Sequence, residues 1–219
     1  MHELRFFDRE AEYAVVERHL PHWVQAGVMC FLTYRTEDSF PEPVLQRWLS
    51  ERDSLLKQHG IDPAGDWRGA VRRLPLPVRS GLQWKFTERF DQFLDEGHGA
   101  CVLKRPELSQ IVADNLRHLD GRDYSLTDFV VMPNHVHVLA SFRAETDMLP
   151  RVEAWKRYQA RRINAVLNQS GRFWQVDGFD HLVSSPEQFE HYRGYIAVNP
   201  RHANLRGGEF VHYSKPLEA

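Results

Sequence analysis

At 219 residues and 42% hydrophobic, the chain can bury one substantial core but is short for two independent domains. No stretch approaches the roughly 18 consecutive apolar residues of a membrane span, and the segment from Met1 to Glu12 has no secretory h-region, so a cytoplasmic protein is expected. Cys30 and Cys101 lie far apart, so neither a disulfide framework nor a thiolate zinc site is expected. A net charge of −2 argues against a general nucleic-acid coat, yet Arg151, Lys156, Arg157, Arg161, Arg162 and Arg172 face only Glu153 in one stretch, which suits a localised phosphate contact.

In chain order, VMCFLTYR from Val28 to Arg35 reads as a buried strand. Pro41 and Pro43 open a helix to about His59, which Gly60 ends. The segment from Asp66 to Ser80, with Pro75 and Pro77, reads as a connecting loop with one short helical piece. A helix from about Ser80 to Glu96 follows, with Leu82, Phe86, Phe90 and Leu94 on one stripe, then a short extended piece from Ala100 to Leu103. Pro106 opens a helix to about His118, and Asp120-Gly121 turns the chain into a strand from Tyr124 to Met132. After the Pro133-Asn134 turn comes a strand from His135 to Phe142, then a helix from Leu149 to Asn168. An extended segment from Phe173 to Val183 leads to Ser185-Pro186-Glu187, an N-cap and acidic first turn for a helix that Pro200 must stop. Strands and helices in β-α-β-β-α-β order indicate an α+β fold: a ferredoxin-like antiparallel sheet with helices on one face. The expected organisation is one domain over residues 1–219 with an enlarged helical insertion at about 37–99.

VVMPNHVHVLA carries the clearest chemistry. Residues two apart on a strand share a face, so His135 and His137 project together while Val136 and Val138 enter the core. Two imidazoles so held form a bidentate clamp for a metal, although the spacing alone also fits an exposed pair. In HYRGYIAVNP, Tyr195 and Asn199 are four residues apart and share one helical face. A phenol and an amide oxygen presented together could supply a nucleophile and a third ligand; equally, Tyr195 could pack the helix on the sheet and Asn199 end it.

Taken in order, FLTYRTEDSFP, VVMPNHVHVLA, AWKRYQARRIN, FWQVDGFDHLV and YRGYIAVNP resemble the HUH single-tyrosine transposases of insertion sequences, and look most similar to the REP-associated tyrosine transposases, over about Pro21 to Leu205. The resemblance implies that His135, His137 and Asn199 hold Mg²⁺ or Mn²⁺, that Tyr195 is the attacking nucleophile, and that the partner is single-stranded DNA with a palindromic hairpin. It also brings Trp174 and Gln175 near DNA or the active site. Lys156, Arg157, Arg161 and Arg162, with Arg35 ending the first strand, are the candidate DNA contacts, and Trp155 and Tyr158 could stack on bases or pack inward. The expected reaction is nicking and rejoining of DNA through a phosphotyrosine intermediate by a monomer, with a dimer as the alternative. Two other readings remain open: a hairpin-binding regulator of the same fold that does not cleave, and a zinc hydrolase built on the H-x-H pair, for which a third His, Asp or Glu ligand would be needed.

Overall fold

The computed structural model describes residues 4–17, 21–176 and 178–216. Its elements are β1 (Ala14–Glu17), β2 (Pro21–Val24), β3 (Met29–Arg35), α1 (Glu42–Gln58), α2 (Trp67–Arg73), α3 (Leu76–Asp95), a 3₁₀ turn (Val102–Lys104), α4 (Pro106–His118), β4 (Tyr124–Val131), β5 (His135–Phe142), α5 (Met148–Leu167), β6 (Phe179–Leu182), α6 (Pro186–His202) and β7 (Val211–Ser214). The chain separates into two compact units, Met1–Glu37 with Cys101–Ala219, and Asp38–Ala100. Among the described residues, no helix is long and apolar enough to cross a membrane.

In the first unit, five strands pair antiparallel in the order β6-β3-β5-β4-β7. The run β6-β3-β5-β4 follows the ferredoxin-like pattern, β7 extends it beside β4, and β1 and β2 form a separate two-stranded ribbon. Alternation sets the two faces. Leu32, Tyr34, Val131, Val136 and Val138 join α4 and α5, through Leu108, Val112, Trp155 and Ile163, in the larger core. Met29, Phe31, Val130 and Leu139 face the other way and pack against Phe189, Tyr192 and Ile196 of α6. The crossover helices thus share one face, as expected, and α6 covers the opposite one.

The second unit has its own apolar contacts: Phe40 and Val44 with Phe93 and Leu94, and Leu56 and Ile61 with Val71 and Leu82. Its ends are tied together, since Asp38 Oδ2 accepts from the Ala100 N–H at 2.7 Å. Gly99, at φ +86°, lies so close that a Cβ there would come within 2.7 Å of the Asp38 carbonyl oxygen.

Several elements differ from the sequence reading. The loop expected over Asp66 to Ser80 is mostly helical: Asp66 caps α2 by accepting from Gly69 N–H, and α3 starts at Leu76 with a proline in its first turn, where the missing N–H is harmless. The piece from Ala100 to Leu103 is not extended, because Cys101 takes a left-handed conformation that turns the chain into the 3₁₀ segment. Among the described residues of the segment from Phe173 to Val183, only Phe179–Leu182 is strand. Nor does Pro200 stop α6, which runs on to His202. In the last turn a proline removes a single helical bond, and the N–H groups of Ala203 and Leu205 close on the carbonyls of Asn199 and Pro200. The ribbon β1-β2 and the edge strand β7 are short elements that the apolar pattern did not signal.

Gly178 precedes β6 where the backbones come close: a Cβ there would sit 2.6 Å from the Thr33 carbonyl oxygen. Gly178→Ala is expected to destabilise the chain by about 1–3 kcal/mol, read as a lower urea midpoint at unchanged slope. An unchanged midpoint would show that the entry to β6 can move aside.

Candidate active site

His135 and His137 sit at the start of β5, where antiparallel pairing places Arg35 opposite His135 and Thr33 opposite His137. Directly opposed residues share a face, so all four side chains leave the sheet on the side covered by α6. Both histidines are 0% exposed, and their rings lie 4.7 Å apart at 76°. Each has its Nδ1 in a hydrogen bond, His135 with Asn134 Oδ1 at 2.8 Å and His137 with Thr33 Oγ1 at 2.7 Å. Both Nε2 atoms are shielded from solvent, and that of His137 has no hydrogen-bond partner among the described residues.

Burial disfavours charge on these rings. It pushes the His135 pKa down to about 3, and it holds His137 well below the ordinary value, with a further lowering from its neighbour His135. At neutral pH the pair is therefore two neutral imidazoles, the form in which a ring nitrogen can ligate a metal.

Helix α6 brings up the other half. Its start is set by Ser185, which accepts from Gln188 N–H, with Pro186 in the first turn. Arg193 pins it to the sheet: Nε donates to Asp128 Oδ2 at 3.1 Å, while Ser214 of β7 donates to Asp128 Oδ1 at 2.6 Å and accepts from Arg193. The Tyr195 ring lies 5.2 Å from His137, edge to face. Phe31 forms a shared wall, stacked on His137 at 5.3 Å and on Tyr192 at 4.3 Å, with Tyr195 at 6.0 Å. One turn beyond Tyr195 on the same helical face, Asn199 is fully buried.

The structure therefore gathers His135, His137 and Tyr195, and puts Asn199 on the buried face of the same helix. Arg35 belongs to this neighbourhood by register, and burial lowers its pKa to about 10 against the opposing effect of Glu37. The remaining candidates lie elsewhere. Arg157, Arg161 and Arg162 are exposed on α5, which packs on the opposite face of the sheet. Lys156 donates to the carbonyls of Gln175 and Val176, which fixes that loop instead of leaving its ammonium for a phosphate. Trp174 is 3% exposed and packs on Tyr34, and the Gln175 side chain donates to the Glu37 carbonyl. Trp155 is core, against Tyr124, whereas Tyr158 is exposed with Arg161 over its ring. His181, left unassigned by the sequence, contacts Gln188 at 3.0 Å.

Sequence reasoning did not find Thr33, Asn134, Phe31 or the Asp128–Arg193 pair. Thr33 and Phe31 carried a usable signal, since both have the strand parity that faces the histidines once β3 and β5 are paired. Among the described residues no group of three His, Cys, Asp or Glu side chains gathers to hold a metal. A third protein donor beside the histidines would have to be a neutral group such as Asn199.

The lowered histidine pKa values fix the sign of a pH effect. Between about 6.5, the ordinary value, and about 3, the unfolded chain binds protons that the folded chain refuses. Stability is therefore complete above pH 6.5 and declines as the pH falls, by up to about 1.4 kcal/mol per pH unit for each histidine. Urea unfolding of the metal-free chain between pH 7 and 5 should show this slope, reduced in the double variant His135→Gln, His137→Gln. Equal slopes would mean that the pair is not held neutral.

Comparison with known proteins adds to this geometry. Residues 105–199 match the family described as "Transposase IS200 like". None of the curated proteins compared with the chain matches it. A solved structure described as "Structure of the REP associates tyrosine transposase bound to a REP hairpin" is similar at 14% identity and a TM-score of 0.40, covering 82% of this chain and 70% of that one. The matched stretch, under half of the chain, carries all four candidate site residues, His135, His137, Tyr195 and Asn199.

Proposed function

We propose that this protein is a metal-dependent, single-tyrosine transesterase that nicks and rejoins single-stranded DNA at palindromic hairpin elements. The observation that carries this reading is the Tyr195 ring 5.2 Å from His137, within a buried pair of neutral imidazoles. The hairpin substrate is what the resemblance to the REP-associated tyrosine transposases implies; the family match over residues 105–199 supports transposase chemistry.

The side chains fit a divalent cation. His135 and His137 would hold it through Nε2 and Asn199 through its amide oxygen, and Mg²⁺ or Mn²⁺ is the expected ion. Three neutral donors leave the charge of the ion uncancelled, so when bound it supplies Lewis-acid stabilisation to a phosphate oxygen. The chain's own groups do the rest. The Tyr195 oxygen attacks phosphorus in line, a tyrosine O–P bond forms, and the bond from phosphorus to the 3′ oxygen breaks. The phenolic proton ends, in net balance, on the departing 3′ hydroxyl. Rejoining is the reverse with another 3′ hydroxyl as attacking group, so no nucleotide triphosphate is consumed. Burial around His135 and His137 limits water, which would otherwise hydrolyse the phosphotyrosine.

A hydrolytic zinc site is the weaker reading. It would need a third acidic or imidazole ligand, and among the described residues none joins the pair. Asp128, the buried acid on β4, is already engaged by Arg193 and Ser214.

Purified protein, Mn²⁺ and end-labelled single-stranded hairpin oligonucleotides from the flanks of its own gene should give a covalent adduct on denaturing gels, together with a free 3′ hydroxyl product. Tyr195→Phe should abolish the adduct and change hairpin binding by less than about 3-fold, because only the nucleophilic oxygen is removed. Hairpin binding without adduct in the native protein would replace this proposal with the non-cleaving regulator.

A further inference from the structure

The two histidines differ in what holds their far nitrogen. An imidazole offers a lone pair from Nε2 only when its proton sits on Nδ1. Asn134 Oδ1, 2.8 Å from His135 Nδ1, can only accept, so that contact demands Nδ1–H on His135 and leaves Nε2 ready to ligate. Thr33 Oγ1, 2.7 Å from His137 Nδ1, is a hydroxyl and can either donate or accept. His137 Nε2 has no hydrogen-bond partner among the described residues to decide between the tautomers. Stacking on Phe31 fixes the plane of the ring but not the position of its proton.

The geometry points to Thr33 as the positioning residue of His137: its hydroxyl accepts the Nδ1–H and so presents Nε2, as a lone pair, to a divalent cation. This inference rests on the metal-binding reading of His135 and His137. Thr33 is suited to the task by placement, being 4% exposed, directly opposite His137 in the β3–β5 register, and on a backbone that Gly178 allows β6 to approach closely. It is also suited by chemistry. A carboxylate in that position would make the imidazole more basic and add charge to a buried site; a hydroxyl orients the ring and keeps the ligand set neutral. The tautomer of His137 is then free to respond to the cation, while that of His135 is set beforehand.

The test is Mn²⁺ affinity, measured by the electron paramagnetic resonance signal of free Mn²⁺, on the full chain and its Thr33→Val, Thr33→Ser and His137→Ala variants. Valine has nearly the shape of threonine and no hydroxyl, so Thr33→Val should weaken Mn²⁺ binding by about 10-fold, the lower end for loss of a partner outside the ligand shell. Thr33→Ser, which keeps the oxygen, should stay within about 3-fold of the native protein. Native-like affinity in Thr33→Val, or equal losses in the valine and serine variants, would overturn the assignment. If the native protein binds no Mn²⁺, or His137→Ala binds as well as native, the metal reading itself fails and the role of Thr33 with it. Should Thr33→Val fail to fold, ¹⁵N resonances of the native chain saturated with Mg²⁺ decide: His137 with Nδ1 protonated supports the assignment, and Nε2 protonated overturns it.

Discussion

The pairing of β3 with β5 is the constraint on which the site depends. Side chains alternate with period two, so a slip of one residue would move every side chain of a strand to the other face. Leu32 and Tyr34 on β3, and Val136 and Val138 on β5, are buried against α4 and α5, and a slip would expose all four. At about 1.5–3 kcal/mol for each large apolar side chain, the register is strongly specified. The polar residues on the other parity inherit that precision. Thr33 meets His137 and Arg35 meets His135 because the apolar face admits no other alignment.

The opposite face is closed by α6, and this is where the protein spends stability on a polar arrangement. Asp128 is 1% exposed and is compensated by Arg193 and Ser214. Removing one member of such a buried pair leaves an uncompensated charge, whereas apolar replacements for both can be neutral. The pair acts as a directional constraint: it fixes the rotation of α6 about its axis while Phe189, Tyr192 and Ile196 supply the burial. Two residues after Arg193, Tyr195 is thereby aimed at His137. The exposed arginines of α5 belong to the other side of the sheet, so a strand of DNA that touched both would have to pass around a sheet edge.

Long, strongly patterned elements were legible in the sequence, and so was the nearness of His135, His137 and Tyr195. The β5 run and the helices carrying Trp155 and Tyr195 have clear periodicity, and HVH with the tyrosine of YIAVN contains three side chains that the fold brings together. What escaped was set by tertiary context. Cys101 takes a left-handed conformation that propensity disfavours, α6 carries Pro200 because its last turn tolerates one missing donor, and β7 owes its existence to an edge offered by β4. The basic stretch pointed to Lys156 and the resemblance to Trp174, but neither residue type nor motif records direction; one side chain holds a loop and the other is buried against Tyr34.

The tie between Asp38 and Ala100 has a counterpart in the first unit. The chain leaves at Glu37 just after Thr36 N–H donates to the Asn134 carbonyl, and it returns through Leu103, whose N–H donates to the carbonyl of Pro133. Exit and re-entry thus hang on consecutive carbonyls of one turn, the turn that leads directly into His135. A folded segment whose own ends meet adds little loop-closure entropy however many residues it contains. The same turn thus anchors both the departing and the returning segments of the first unit and sets the entry of β5 at His135, so its two carbonyls hold the frame of the sheet at the point where the chain is interrupted.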